Sequence, residues 1–240
     1  MTVHRFYYPG QLEVQDFVTL SSTESAHALK VLRLRPDDEM ILLNGKGTEA
    51  IARLEGAPDK RRMHEAICHI DMVKHHEKSQ RPVHLYVAPP KTKCMDIVLK
   101  SATELGVSLI TPIICRYGVS KIEGEFKESW RNQLVIAIKQ SGNPWLPELQ
   151  PPTSVEDALK SFCGSGYFGS VCKSEKSILP PWDRPVGETS LWIGPEGGFA
   201  PEEESMMLEH GLYPLTVGNW ILRVETAVSA LLACMNVRIE

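Results

Sequence analysis

The chain reads as an α/β protein in two parts, a small β-rich domain followed by a larger one built on a mostly parallel sheet. Three observations lead there. From Val83 onward, short apolar runs alternate with segments whose apolar residues recur at helical spacing, the pattern of parallel strands with crossover helices. Before residue 74, apolar runs are separated by turn signals and a single helical pattern. Near the C-terminus, two glycine-bearing loops each follow an apolar run and open a helix. Ligands of parallel sheets bind at such strand ends.

In order, His4 to Tyr8 is a short aromatic strand with Arg5, ended by Pro9-Gly10. Ser22-Thr23-Glu24-Ser25 opens a helix expected to run through Arg33. His27, Lys30 and Arg33 recur at i, i+3, i+6 and share a side of that helix, either a solvated face or one that reads phosphates. Met40 to Leu43 and Thr48 to Leu54 are strands joined by the tight turn Asn44-Gly45-Lys46-Gly47. Lys60-Arg61-Arg62 lies in a polar loop, and Met63 to Val73 is a further strand. Residues 1–73 form the first domain, 74–82 a solvated linker containing His75-His76, and 83–240 the second domain. There, Val83 to Ala88 is a strand. Thr92 to Leu105 is a helix with the stripe Met95, Val98, Leu99, Ala102 and Leu105, capped by Gly106. Val107 to Cys115 is a strand, and helices follow from Phe126 to Gln140 and Val155 to Phe162. Strands lie near 166–172, 190–193 and 215–217. Pro201-Glu202-Glu203-Glu204 starts a helix with acids where its dipole favours them. The last helix, Val224 to Val237, is apolar nearly all round, as for a helix buried in the core or a dimer interface.

A net charge of −4 over 240 residues argues against a strongly basic nucleic-acid binder, so any nucleic acid must dock on local patches. Six cysteines without a C-x-x-C spacing read as reduced thiols of a cytoplasmic protein, and no His/Cys cluster has metal-ligand spacing. Met1 to Gly10 has no apolar core of signal-peptide length. The longest apolar run, Ala227 to Val237, is too short for a bilayer.

The loops carry the chemistry. The first is Ile193-Gly194-Pro195-Glu196-Gly197-Gly198, and the second lies within Val217 to Ala227. Neither is a dinucleotide fingerprint or a phosphate loop, because G-x-G-x-x-G and Gly-Lys-Ser/Thr are both absent. Glycines here allow close approach of backbone to ligand, and together the loops imply one pocket at neighbouring strand ends. Glu196, Arg223 and Glu225 are the charged groups they present. Two of them have a bland alternative: Glu225 as a helix-start acid, Arg223 as the ion-pair partner of such a Glu.

The pair Ile193–Gly198 and Ile221-Leu222-Arg223-Val224-Glu225-Thr226-Ala227 resembles the SPOUT methyltransferases and, more narrowly, the RsmE family, which makes N3-methyluridine in 16S ribosomal RNA. Arg5-Phe6-Tyr7, His27 with Val31-Leu32-Arg33, the turn around Gly45-Lys46-Gly47, Lys100 to Val107, Ile113 to Arg116 and Gln140-Ser141 extend the resemblance over nearly the whole chain. It implies a PUA-like RNA-binding β-barrel, then a SPOUT α/β-knot domain, S-adenosylmethionine as cofactor, and a homodimer. It implies cofactor binding by Ile193, Gly194, Pro195, Glu196, Gly197, Gly198, Leu215, Gly218, Ile221, Leu222, Arg223 and Thr226. Arg5, His27, Lys30 and Arg33 are expected to bear on RNA. Arg223 is expected to steady charge on a uracil carbonyl oxygen, and Glu225 or Glu196 to serve as base or to orient the cofactor. The chain departs from the family at Lys139, commonly Glu, and at Asn143, commonly Arg, so contacts of that segment are not carried over. Two rival readings are a SPOUT enzyme acting elsewhere on RNA, such as a ribose 2′-hydroxyl, and a non-catalytic RNA-binding module.

Overall fold

A computed structural model describes residues 4–55, 64–90, 94–118, 128–162, 164–170 and 187–236. The Lys60-Arg61-Arg62 loop, the expected helix starts at Thr92 and Phe126, the strand end at Cys172, Cys163 and Val237 lie outside them. The chain divides into two units, Met1–Lys78 with Ile138–Leu146, and Ser79–Ala137 with Pro147–Glu240.

The first unit holds a five-stranded sheet. Its strands are β1 (His4–Tyr7), β2 (Phe17–Thr19), β3 (Glu39–Leu43), β4 (Thr48–Leu54) and β5 (Ile67–His75), in the order β1-β3-β4-β5-β2. β1 and β3 are parallel, and the other pairs are antiparallel. The β3–β4 turn forms because the Asn44 Oδ1 accepts from the N–H of Lys46 at 2.8 Å and of Thr48 at 3.0 Å. Gly45 and Gly47 take φ of +71° and +88° there, which L side chains rarely adopt. This turn also receives residues 144–146: Gly47 N–H donates to the Pro144 carbonyl and Leu146 N–H to that of Gly45, both at 2.9 Å. That is why 138–146, expected with the second domain, packs with the first unit. Phe6, Val18, Met40, Leu42, Ala52, Cys68 and Ile70 fill the core.

Two expectations need correction here. The helix predicted through Arg33 is α-helical only over α1 (Ser22–Ala26) and continues as a π-helical turn, His27–Val31, with Leu32 N–H on the His27 carbonyl at 2.9 Å. Ser25 pins its start, donating to the Leu20 carbonyl and accepting from Ala66 N–H. The wider turn lets buried Ala28 and partly buried Leu29, Leu32 and Leu34 all meet the core. Arg33 falls beyond it at φ +56°, so the three-residue spacing does not align His27, Lys30 and Arg33. The linker expected from Lys74 also starts later. β5 runs through His75 because β4 offers partners: Thr48 Oγ1 lies 3.3 Å from His75 Nδ1, and Glu49 Oε2 lies 2.9 Å from His76 Nε2.

The second unit is a parallel sheet ordered β12-β10-β11-β6-β7-β8, with β9 also on β7. These are β6 (Val83–Val87), β7 (Leu109–Ile114), β8 (Glu148–Leu149), β9 (Thr153–Ser154), β10 (Ser165–Gly169), β11 (Thr189–Ile193) and β12 (Tyr213–Leu215). Every residue of central β6 and β11 is buried, as for parallel strands covered on both faces. On one face Tyr86, Ile113, Phe168 and Trp192 meet Val155, Ala158 and Leu159 of α4 (Val155–Ser161) and Met207 of α5 (Pro201–Glu209). Elsewhere α2 (Cys94–Glu104) packs on α6 (Val224–Asn236), which also packs on β11. α2 buries the expected Met95, Val98, Leu99 and Ala102. It ends in a Schellman arrangement: Gly106, at φ +75°, donates to the Thr103 carbonyl and Val107 to that of Ala102. α6 is one-sided, burying Val224, Val228, Leu231, Leu232 and Met235 while Thr226 and Ala233 stay exposed. Its Asn236 Nδ2 donates to the Leu105 carbonyl at 2.7 Å. α3 (Glu128–Ser141) completes the elements. Among the described residues, no helix is long and apolar enough to cross a membrane, and no cluster could hold a metal ion.

Candidate active site

The carboxyl ends of β10, β11 and β12 meet around a cavity of about 130 Å³. Parallel pairing sets this up, since Phe168 lies opposite Trp192 and Gly169 opposite Leu215. The strand ends are laced together: Ser170 N–H donates to the Leu215 carbonyl at 3.1 Å, and Thr216 Oγ1 to the Ser170 carbonyl at 2.9 Å.

After β11 the chain makes a tight turn, closed by Gly198 N–H on the Pro195 carbonyl at 2.8 Å, with exposed Glu196 and Gly197 at its tip. Gly194 cannot carry a side chain without crowding, because a Cβ would sit 3.1 Å from the Phe199 nitrogen and 3.2 Å from the Gly198 carbonyl carbon. Gly198 takes φ +74°. Buried Glu203 braces the loop, accepting from Ala200 N–H at 2.8 Å and Arg116 N–H at 2.9 Å. Beside it, burial first and then the Glu203 carboxylate push the Cys115 thiol far above its usual range, leaving it inert.

The second loop turns at Gly218, at φ +75°, and exposes Asn219, Trp220 and Ile221. Arg223 stands just ahead of α6, its carbonyl accepting from Ala227 N–H at 2.8 Å. A cation there opposes the helix dipole, whereas Glu225 in the first turn suits it. Local rules broken in this way are concentrated at functional sites.

Of the residues expected at a cofactor, Ile193, Gly194, Pro195, Glu196, Gly198, Leu215, Gly218, Ile221 and Leu222 line the cavity. Gly197, Arg223 and Thr226 do not, nor does Glu225, so among the three charged candidates Glu196 alone reaches the lining. Gly169, Ser170, Thr216 and Leu231 line the cavity from outside the two loops read from the sequence, and Asn219 and Trp220 line it from within the second loop without having been singled out. Gly169 had a usable signal, since it too ends an apolar run.

The RNA candidates all lie in the first unit. Arg5 Nη1 donates to the Gln140 carbonyl at 3.4 Å and covers Gly142, where a Cβ would meet its guanidinium at 3.1 Å. It therefore caps the end of α3. The His27 ring lies edge-on to Phe6 at 5.9 Å, and Lys30 and Arg33 are exposed. The two departures gain local roles. Lys139 Nζ donates to largely buried Glu24 at 2.6 Å, and the Asn143 Oδ1 accepts from Trp145 N–H at 3.0 Å.

A second cavity of the second unit, about 440 Å³, is lined by His84, Tyr86, Thr111, Gln150 and Glu188 among others. His84 stacks on Tyr86 and Tyr86 on Trp192, each at 3.8 Å between ring centroids. His84 Nε2 lies 2.7 Å from Thr111 Oγ1, and its Nδ1 lies 3.3 Å from Glu188. Burial lowers the His84 pKa to about 4 against the pull of half-exposed Glu188, whose solvated charge is weak. Burial and then Glu188 raise the Tyr86 pKa to about 12.

Comparison with known proteins bears on both units. Residues 76–236 match the family model of the RNA methyltransferase domain, and residues 20–64 that of the RNA methyltransferase PUA domain. The chain is 27% identical to the ribosomal RNA small subunit methyltransferase E of Aquifex aeolicus, over 97% of this chain and 99% of that one. It is 26% identical to the Synechocystis protein of the same name, over 97% of this chain and 76% of that one. Among solved structures, one of the same name from Neisseria gonorrhoeae, bound to S-adenosyl methionine, is 28% identical with a TM-score of 0.82, covering 98% of this chain and 97% of that one. A Legionella pneumophila protein in complex with bound cofactor SAM is 29% identical with a TM-score of 0.84 and the same coverage. The chain therefore belongs to the RNA methyltransferase family of the RsmE type, with the PUA domain of that family ahead of its methyltransferase domain.

Proposed function

We propose that the protein is a cytoplasmic, homodimeric, S-adenosylmethionine-dependent methyltransferase acting on N3 of a uridine in 16S ribosomal RNA of the small subunit. The observation that carries this is the cavity at three parallel strand ends, walled by two glycine loops, in a chain so similar to proteins solved with that cofactor.

The residues present fit the cofactor. A Cβ at Gly194 would crowd the first loop's own turn, Gly198 and Gly218 hold left-handed turns, and Leu215, Leu222, Ala227 and Leu231 give an apolar wall for a flat ring. When bound, S-adenosylmethionine supplies an electrophilic methyl group on a sulfonium. The two loops would hold it through backbone groups and fix the line of approach, and such positioning contributes several kcal/mol. Uracil N3 carries a weakly acidic proton that must leave when N3 is methylated, and Glu196 or Glu225 would accept it or orient the cofactor. Arg223 would stabilise the negative charge that spreads to a carbonyl oxygen, an interaction of about 1.5–3 kcal/mol. Glu196, on the cavity wall, is better sited than Glu225 to touch a ligand, and Glu225 would serve α6. In the first unit, Arg5, His27, Lys30 and Arg33 would bear on RNA; exposed Lys30 and Arg33 are the freer to meet phosphates. The less buried side of α6 would face a second copy of the chain.

The test is to incubate the protein with labelled S-adenosylmethionine and small ribosomal subunits from cells lacking the activity, digest the RNA and identify the product. N3-methyluridine is expected. A 2′-O-methylated nucleoside would move the reading to another RNA position, and absence of both methylation and cofactor binding would overturn it. Sedimentation at equilibrium should give a dimer.

A further inference from the structure

Trp220 is 86% exposed and Ile221 79%, the most exposed large apolar side chains among the described residues, yet both line the cavity at the strand ends. An indole held in water has a cost, and this loop places it on the lining of the cavity. Around the pair stand Gly218 and Asn219 before it, half-buried Leu222 and exposed Arg223 after it, and exposed Glu196 and Gly197 on the facing loop, with Tyr117 against Gly197. Two exposed apolar side chains are far too little for a stable protein interface, which buries about 800 Å² per partner. They match what a single planar nucleobase needs, a π face with polar groups at its edge.

We infer that Trp220 is the stacking platform for the target base, a positioning residue that holds the extruded uracil over the mouth of the cavity. The inference rests on the methyltransferase reading of that cavity and adds a contact to it. A base reaching this site has left its own stack and lost its neighbours. The indole face replaces one of them, while Arg223 remains free to address a carbonyl at the ring edge.

Replacement of Trp220 tests this. Trp220→Ala is expected to lower kcat/KM for the small subunit by roughly 5- to 150-fold, the range of one lost base–aromatic stack. Trp220→Phe should restore most of it. Trp220→Leu, apolar but without a π face, should not. The loss should persist at saturating cofactor, and the sedimentation coefficient should stay close to that of the parent. A second readout stands apart from turnover. With S-adenosylhomocysteine bound, an RNA strand carrying one unpaired uridine should quench the indole emission that Trp220→Phe removes, and the same strand abasic at that position should not. Equal activity of the Leu and Phe variants, equal quenching by the abasic strand, or loss of the dimer in Trp220→Ala would overturn the inference. If the parent fails to methylate subunits but quenching is uridine-dependent, the reaction assigned to the site is at fault and the platform stands.

Discussion

The two cavities of the second unit make opposite use of the same sheet. The larger, at His84, is walled by side chains that satisfy one another: His84 stacked on Tyr86, which rests on buried Trp192 behind it, a hydroxyl on one imidazole nitrogen and a carboxylate near the other. The smaller, at the glycine loops, is walled largely by backbone, with exposed charges and an exposed indole around it. At the larger cavity side chains bond and stack on one another, whereas the smaller is shaped by glycine turns, Gly198 and Gly218 both at positive φ.

Mutation can break this contrast. Trp192→Ala, in the aromatic stack, should cost about 3–5 kcal/mol of unfolding free energy, read by chemical denaturation, because it leaves a cavity under α4. If stability holds and cofactor affinity falls instead, the division fails. Next is the pH response of His84. Its pKa in the fold is about 4, below the usual 6.5, so the unfolded chain takes up a proton first as pH falls. The stability that neutral, buried His84 lends is full above pH 6.5 and is lost between about 6.5 and 4. At about 1.4 kcal/mol per pH unit this amounts to about 3 kcal/mol. His84→Gln should flatten that part of the stability–pH curve. At the other cavity, Arg223→Ala should lower kcat by about 10- to 150-fold at saturating cofactor while stability stays within about 0.5 kcal/mol, since the side chain is exposed. The smallest change is Gly198→Ala. Its φ of +74° costs an L residue about 1–2 kcal/mol, which should appear as weaker cofactor binding and a slightly lower melting temperature.

Much of the second unit was legible because its strands are apolar runs and its helices carry clean stripes. The stripe Met95, Val98, Leu99 and Ala102 and the stop at Gly106 are local signals, and the structure uses each. The π turn was not legible. Its cause is tertiary: Ser25 held by Leu20 and Ala66, and a core that calls for Ala28 and Leu32 together. The attachment of 144–146 to the β3–β4 turn joins residues about a hundred positions apart, through backbone bonds that leave no mark in residue type. At the site, both loops announced themselves through glycine, and the first also through Pro195. Ser170 and Thr216 did not, because their place depends on which strands are neighbours, and strand order is invisible to periodicity.

The tie between Asn236 and the Leu105 carbonyl has a consequence for anyone handling this protein. α6 has 13 residues, so at 1.5 Å per residue it is a rod about 20 Å long, with Arg223 at one end and that bond at the other. A rod transmits displacement along its axis. Fusions or deletions at the far end of α6 would therefore act on the loop before it, and a purification tag belongs at the opposite terminus of the chain.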